Sequence, residues 1–80
     1  METIQDNVKR LIAESINVDK DSIVDETNIR NDLNFDSLSF VEMIMKIEDK
    51  FGIEIDEKEA AKIQTVGDII KYIKNKKDND

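Results

Sequence analysis

The part of the 80-residue chain that decides the fold is SLSFVEMIMKIEDKF, which runs from Ser37 to Phe51. Its apolar residues recur at helical spacing and predict one broad apolar stripe on an amphipathic helix. The stripe consists of Leu38, Val41, Ile44, Met45, Ile47 and Phe51. Gly52 stands where a left-handed residue can end the helix, and Asp36 or Ser37 can cap its start. Ser37 therefore lies where unpaired backbone N–H groups and the positive end of the helix dipole meet.

A first helix and a long loop are expected before this segment. Thr3 can cap the helix, with Asp6 three residues later, and Asn17 can end it in the left-handed conformation. Its apolar positions are Ile4, Val8, Leu11, Ile12 and Ile16. The polar stretch 19–32 is predicted to be a loop that is fixed to the bundle by Ile23, Val24 and Ile29. A loop of this length is unusual in a compact domain and is often functional.

Two more helices are predicted after Gly52. The capping-box pattern of Asp56–Glu59 opens a short third helix that runs to about Ile63. The stretch Thr65–Asp68 starts a fourth helix whose common face holds Val66, Ile69, Ile70 and Ile73. Residues 75–80 are too polar to pack and are expected to fray. We therefore predict an all-α fold, a small four-helix bundle in a single domain over residues 1–80 with an ordered core at about 3–74.

The composition agrees with a small helical domain and excludes several kinds of chemistry. Apolar and charged residues each make up 39% of the chain, proline is absent, and there are two glycines. Cysteine and histidine are both absent. Their absence excludes disulfides, most zinc and haem sites, cysteine nucleophiles and histidine general bases. Any thiol chemistry must come from an attached group, and we see no support for an enzyme.

The charge pattern indicates the kind of partner. The formal net charge is −7, and residues 31–60 contain nine acidic and three basic side chains. Such a surface disfavours nucleic acid and anionic membranes and favours basic partners. No apolar run approaches the about 18 residues that a transmembrane helix needs, and a signal peptide is not evident. We expect a cytoplasmic protein, without membrane insertion, that is a monomer.

Several motifs in register resemble the acyl carrier protein family. They are Asp32-Leu33-Asn34-Phe35-Asp36-Ser37-Leu38, Val41-Glu42, Ile47-Glu48-Asp49-Lys50-Phe51-Gly52-Ile53-Glu54-Ile55, Thr65-Val66-Gly67-Asp68 and Tyr72-Ile73. An isolated Asp-Ser-Leu means little, whereas the same tripeptide in register with the other motifs is specific. The resemblance covers nearly all of residues 3–74.

The resemblance implies that Ser37 accepts 4′-phosphopantetheine from coenzyme A through a phosphopantetheinyl transferase. Acyl groups would then be carried as thioesters on the terminal thiol of the arm and delivered to enzymes of fatty-acid or related polyketide and lipid-modifying synthesis. The alternative role for Ser37 is that of an ordinary, unmodified N-cap residue. The two roles are compatible, because Asp36 can provide the cap.

The resemblance also implies surfaces for partners and for cargo. The docking residues that it assigns are Asp36, Leu38, Ser39, Phe40, Glu42, Met45, Glu48, Asp49, Glu54 and Ile55. The alternative for the charged members is a solvated helix face. The residues that could line an acyl-chain cavity are Val41, Ile44, Met45, Ile63 and Ile70, all of which are first of all expected in the core. No metal site is expected, because the cluster Asp56, Glu57 and Glu59 lacks the spacing of a calcium-binding loop.

The sequence departs from the family pattern next to Ser37. Phe35 stands where a small residue is usual, and Ser39 and Phe40 stand where an acidic and a small polar residue are common. These changes, together with Lys46 and Lys50, are expected to thin the acidic surface and to add aromatic surface. Phe40 is either an exposed anchor for partners or a core residue. An aminoacyl or peptidyl carrier and an unmodified helical adaptor remain the alternative functions.

Overall fold

Four α-helices and one short 3-10 turn make up the fold within the part of the chain that the computed structural model describes, residues 3–78. In chain order they are α1 (Ile4–Ile16), the 3-10 turn (Lys20–Ser22), α2 (Ser37–Phe51), α3 (Glu57–Ala61) and α4 (Val66–Asp78). Helix α1 packs against both α2 and α4. The prediction of an all-α bundle with a short third helix and a long loop after α1 is confirmed.

The predicted caps of α1 and α2 are present. Thr3 Oγ1 accepts a hydrogen bond from the backbone N–H of Asp6 at 3.1 Å, and α1 ends at Asn17, which has a φ of 59°. At the end of α2, Gly52 has a φ of 65°, and its N–H donates to the Glu48 carbonyl. Only glycine adopts this left-handed conformation without a steric cost, so the position fixes the end of the helix.

Helix α3 differs from its prediction. Asp56 is the N-cap residue but makes no side-chain capping hydrogen bond, so the predicted capping box does not form. The helix ends at Ala61 and not at about Ile63. The reason is a tightened last turn, in which the N–H groups of Lys62 and Ile63 donate to carbonyls three residues earlier. This turn carries the Ile63 side chain into the core.

The capping box forms instead at the start of α4. Thr65 Oγ1 accepts from the N–H of Asp68 at 3.2 Å, and the Asp68 carboxylate accepts from the N–H groups of Gln64 and Thr65 at 3.0 and 3.1 Å. These backbone donors hold the pKa of Asp68 below its ordinary value. The carboxylate therefore stays ionised at neutral pH and satisfies two amides that the helix leaves unpaired.

Asp68→Ala is expected to lower the free energy of unfolding by about 1 kcal/mol at neutral pH, a typical value for the loss of a cap. Because the folded-state pKa of Asp68 is depressed, its stabilisation is complete above the unfolded-state pKa and is lost as the pH falls through the folded-state value. The difference between parent and variant should therefore shrink below about pH 4. Urea unfolding at several pH values measures it, and a difference that persists to pH 2 would contradict the role of the carboxylate.

Helix α4 also continues further than predicted, to Asp78 instead of about residue 74. Its last turn contains Lys76 and Lys77, whose charges suit the negative end of the helix dipole. Asn75, Lys76 and Lys77 are exposed, so this turn is helical without packing on the core. The fraying expected of residues 75–80 stays a prediction, and Asn79 and Asp80 lie outside the described residues.

Two buried isoleucines attach the loop between α1 and α2 to the core. Ile23 and Ile29 are buried as predicted, but Val24 is 50% exposed. A turn causes this exposure, since the N–H of Val24 donates to Thr27 Oγ1 and the N–H of Thr27 donates to the Val24 carbonyl. The turn directs Val24 outward while its neighbour Ile23 enters the core.

Backbone hydrogen bonds join this loop to the start of α4. The N–H groups of Ile29, Val66 and Gly67 donate across to the carbonyls of Gln64, Thr27 and Asp25 at 2.8–3.0 Å. A side chain at residue 67 would place its Cβ 3.1 Å from the Asp25 carbonyl oxygen. A side chain there would push the Asp25 backbone back by a few tenths of an ångström, so glycine favours the close approach of the two segments.

The core shows that α2 has two apolar stripes and not the single broad one predicted. The largest fully buried side chains are Val8, Ile12, Ile29, Met43, Ile47, Val66, Ile69 and Ile73. On α2, Phe40, Met43, Ile44 and Ile47 are buried, with the spacing of one helix face. Leu38, Val41 and Met45, which belong to the predicted stripe, are exposed, although Val41 and Met45 were expected in the core. A helix that is apolar on more than half its surface cannot bury both sides in a bundle this small.

Candidate functional site

Ser37 is the first residue of the 15-residue helix α2 and is exposed. The preceding residue, Asp36, is the N-cap, and its carboxylate accepts a hydrogen bond from the N–H of Ser39 at 2.8 Å. This hydrogen bond is the main cause that holds the pKa of Asp36 below its ordinary value. The site therefore pairs an accessible hydroxyl with a fixed negative charge, and Asp36, not Ser37, provides the cap.

The segment that leads into Ser37 is held by local hydrogen bonds. Asn28 Oδ1 accepts from the N–H groups of Arg30 and Asn31, and the N–H of Phe35 donates to the Ile29 carbonyl. Asn34 has a φ of 58°, in the left-handed region. No left-handed residue was predicted at position 34, although asparagine is one of the few residues other than glycine that adopts this conformation at low cost.

An exposed apolar stripe runs along α2 from the position after Ser37. Leu38, Val41 and Met45 are 68%, 53% and 60% exposed, and their spacing of three and four residues places them on one side of the helix. We call these three residues the exposed stripe. Glu42 and Asp49 are exposed beside it. The surface positions of Leu38 and Met45 agree with the predicted docking set, whereas Val41 was expected only in the interior.

The two phenylalanines that depart from the family pattern next to Ser37 lie in the core. Phe40 and Phe35 are 4% and 6% exposed. Phe40 is therefore a core residue, because an anchor for partners needs an exposed ring, and the predicted addition of aromatic surface is wrong. The guanidinium carbon of Arg30 lies over the Phe40 ring, 4.8 Å from its centroid.

Two further members of the docking set have structural contacts. Ile55 is 8% exposed, so its side chain is part of the core and not of a surface. Its N–H donates to Glu48 Oε2 at 2.7 Å, which ties the segment before α3 to α2. The half-buried Glu48 is thus a tether between these segments. The docking residues that are fully on the surface are Asp36, Leu38, Glu42, Met45, Asp49 and Glu54, and Ser39 is half-buried.

The residues predicted to line an acyl-chain cavity fall into two groups. Ile44, Ile63 and Ile70 are buried in the same core cluster. Val41 and Met45 face solvent, so they do not line the interior that holds the other three. Val41 and Met45 differ from the other three because α2 has two separate apolar stripes, whereas its sequence periodicity predicted a single one.

Residues 3–78, the part of the chain that the structure describes, offer neither a metal-ion site nor a membrane span. They contain no group of three or more acidic side chains placed to hold a metal ion. No helix in this part of the chain is long and apolar enough to cross a membrane.

The fold and the site together define a class of protein. An exposed serine at the start of a helix, in a sequence that contains no histidine, is placed to bear an attached group and lacks the usual base for activation as a nucleophile. The carboxylate of Asp36 and the exposed stripe lie on the surface next to this serine. These are the properties of a carrier domain.

Comparisons with known proteins identify the family. The family model described as "Phosphopantetheine attachment site" matches residues 6–73. An acyl carrier protein from Lactobacillus acidophilus is 53% identical over 74 residues, which are 92% of each chain, and one from Lactobacillus johnsonii is 43% identical over the same shares. The solved structure of the acyl carrier protein from Enterococcus faecalis has a TM-score of 0.77 at 38% identity, with 88% of this chain and 89% of that chain covered. The chain belongs to the phosphopantetheine attachment family and, within it, to the acyl carrier proteins, whose prosthetic group is 4′-phosphopantetheine.

Proposed function

We propose that Ser37 is the residue to which 4′-phosphopantetheine is attached, and that the chain carries acyl groups on this arm to biosynthetic enzymes. The observation that supports Ser37 is its exposure at the first position of α2, within the Asp-Ser-Leu motif. The other serines are less suitable. Ser15 and Ser22 donate their hydroxyl hydrogens to the carbonyls of Leu11 and Asp19, and Ser39 is half-buried.

The surroundings of Ser37 fit a phosphodiester. The N-terminus of a helix favours negative charge through its dipole and its unpaired N–H groups. At the start of α2, the N–H groups of Ser39 and Phe40 already donate to the side chain and carbonyl of Asp36. Asp36 thereby fixes the first turn of the helix, which bears Ser37. When bound, the prosthetic group supplies the thiol that a sequence without cysteine lacks.

The surface next to Ser37 supports partners with a basic rim and an apolar pocket. The exposed stripe offers three apolar side chains that are more than half exposed, and Asp36, Glu42 and Asp49 are exposed on the same helix or at its cap. Charges of this kind guide the approach of a basic partner, whereas apolar side chains determine how long it stays bound. We therefore propose that a phosphopantetheinyl transferase and acyl-processing enzymes dock here. The net charge of −7 supports a monomer, because like-charged copies repel, and we retain the cytoplasm as the proposed location.

The site is tested by loading the purified chain with coenzyme A and a phosphopantetheinyl transferase. Intact mass should rise by one phosphopantetheine, and trypsin should place the added mass on residues 31–46. Fragmentation of this peptide should assign the mass to Ser37 and not to Ser39. An unchanged mass, or an arm on a different peptide, would reject the proposal.

Leu38→Ala is expected to raise the dissociation rate of the transferase complex about tenfold, since loss of an apolar anchor typically costs about 1–2 kcal/mol of binding. Its association rate should change little. Val24→Ala is the matched control, because Val24 is also half-exposed and apolar but lies in the turn joined to α4. Surface plasmon resonance at two salt concentrations measures both rates. Equal effects of the two variants would contradict a specific role for the exposed stripe.

A further inference from the structure

Arg30 has a defined position although it is exposed. Its guanidinium carbon lies 4.8 Å from the centroid of the Phe40 ring. The ring is held by its surroundings, because Phe40 is 4% exposed and belongs to the core cluster. A cation over an aromatic face is attracted by the ring quadrupole. The guanidinium is therefore held at this point of the surface.

The backbone of Arg30 is fixed as well. Its N–H donates to Asn28 Oδ1 at 3.1 Å, and the same oxygen accepts from Asn31 at 2.9 Å. One residue earlier, the Ile29 carbonyl accepts from the N–H of Phe35, and Ile29 is fully buried. The turn that carries Arg30 thus lies alongside the segment that enters α2.

This arrangement brings the guanidinium to the side of α2 that bears Ser37. Ser37 and Phe40 are three residues apart on the helix, a spacing at which Cβ atoms lie about 5–6 Å from each other. Side chains of helical residues also lean toward the N-terminus and cover the preceding turn. A cation stacked on Phe40 therefore lies within reach of a group attached to the Ser37 oxygen.

The donors of this guanidinium remain usable. Stacking on a ring occupies the face of the guanidinium plane, whereas its five N–H donors point outward along the edge. Among the ion pairs formed by the described residues, none joins Arg30 to a carboxylate. An oriented cation next to the attachment serine is unexpected in a chain with a net charge of −7.

We propose that Arg30 donates hydrogen bonds to the phosphodiester of the arm on Ser37 and so sets the direction in which the arm leaves the surface. This inference rests on the proposed attachment at Ser37. The phosphodiester carries one negative charge, and arginine is suited to it through paired N–H donors. The base of the arm then lies toward the loop turn at Arg30, away from the acidic residues of the exposed side of α2.

Nuclear magnetic resonance on the apo and loaded forms of the chain tests this inference. The sequence contains two arginines, so the side-chain Nε–Hε signals of Arg30 and Arg10 can be assigned with one Arg30→Lys variant. We expect loading to shift the Arg30 signal and to leave the Arg10 signal in place. We also expect the ³¹P signal of the loaded chain to move in Arg30→Gln but not in Lys46→Gln, which removes one exposed positive charge from α2.

The outcomes separate this inference from the proposed function. Intact mass first shows whether the arm is present, and a chain that gains no mass would overturn both proposals. A loaded chain whose Arg30 signal matches that of the apo form would overturn the Arg30 inference alone. So would an altered transferase rate in Arg30→Gln without a ³¹P change, because Arg30 would then act on the partner. If circular dichroism shows that Arg30→Gln does not fold, the Arg30 signals of the apo and loaded parent chain still test the inference.

Discussion

Ser37→Ala is expected to abolish the gain of mass on incubation with coenzyme A and a transferase, while the fold stays intact. The hydroxyl is exposed, and the cap of α2 is provided by Asp36, so alanine removes no hydrogen bond on which the helix depends. Alanine is also a good helix former at the first helical position. Intact mass and a thermal melt measure the two parts of this prediction.

Ser39→Ala is the matched control for this experiment. Ser39 lies two residues later on the same helix, and its main contribution to the cap, a backbone N–H, is retained by alanine, which removes only the weaker side-chain hydrogen bond to Asp36. This variant should be loaded like the parent. Mass gain by Ser37→Ala would show that a different hydroxyl accepts the arm, and loss of loading in both variants would indicate damage to the docking surface instead.

Phe40→Ala is expected to lower the free energy of unfolding by about 3–5 kcal/mol, the range found when a buried phenylalanine is truncated. The ring is 4% exposed and also supports Arg30, so its removal leaves a cavity and an unsupported cation. A domain of this size rarely has more than about 3–5 kcal/mol of stability in total. The variant should therefore be largely unfolded at 25 °C, which circular dichroism in the absence of denaturant would show.

Two milder substitutions keep this prediction measurable. Phe40→Leu should cost less than about 1.5 kcal/mol, because leucine fills much of the space. Phe51→Ala, at a half-buried position near the end of the same helix, should cost less than Phe40→Ala. Urea unfolding curves give the values for these two variants. A well-folded Phe40→Ala with an unchanged midpoint would show that the ring is not part of the core.

The sequence was sufficient to predict the helices where periodicity and caps agree. Helix α2 extends from Ser37 to Phe51, and its end at Gly52 follows from the need for a left-handed residue. Thr3 and Asn17 fix α1 in the same way. Helix α4 continues beyond its predicted end, because lysines are good helix formers.

Other features of the site could not be obtained from periodicity. Spacing alone does not show which of two apolar stripes faces the core, so Val41 and Met45 were placed inside and Phe40 was left undecided. The tether between Glu48 and the N–H of Ile55 joins residues seven apart through a backbone turn that no pattern indicates. The position of Arg30 over Phe40 depends in the same way on the path of the loop.

The hydrogen bonds between the loop and α4 have a consequence for the order of events during protein synthesis. The turn that leads to Ser37 is held by Gln64, Val66 and Gly67, which are made well after the serine itself. When Ser37 leaves the exit tunnel of the ribosome, the residues that pair with the loop are still inside the tunnel and cannot reach it. The loop before Ser37 can therefore take its final form only after the start of α4 has also emerged.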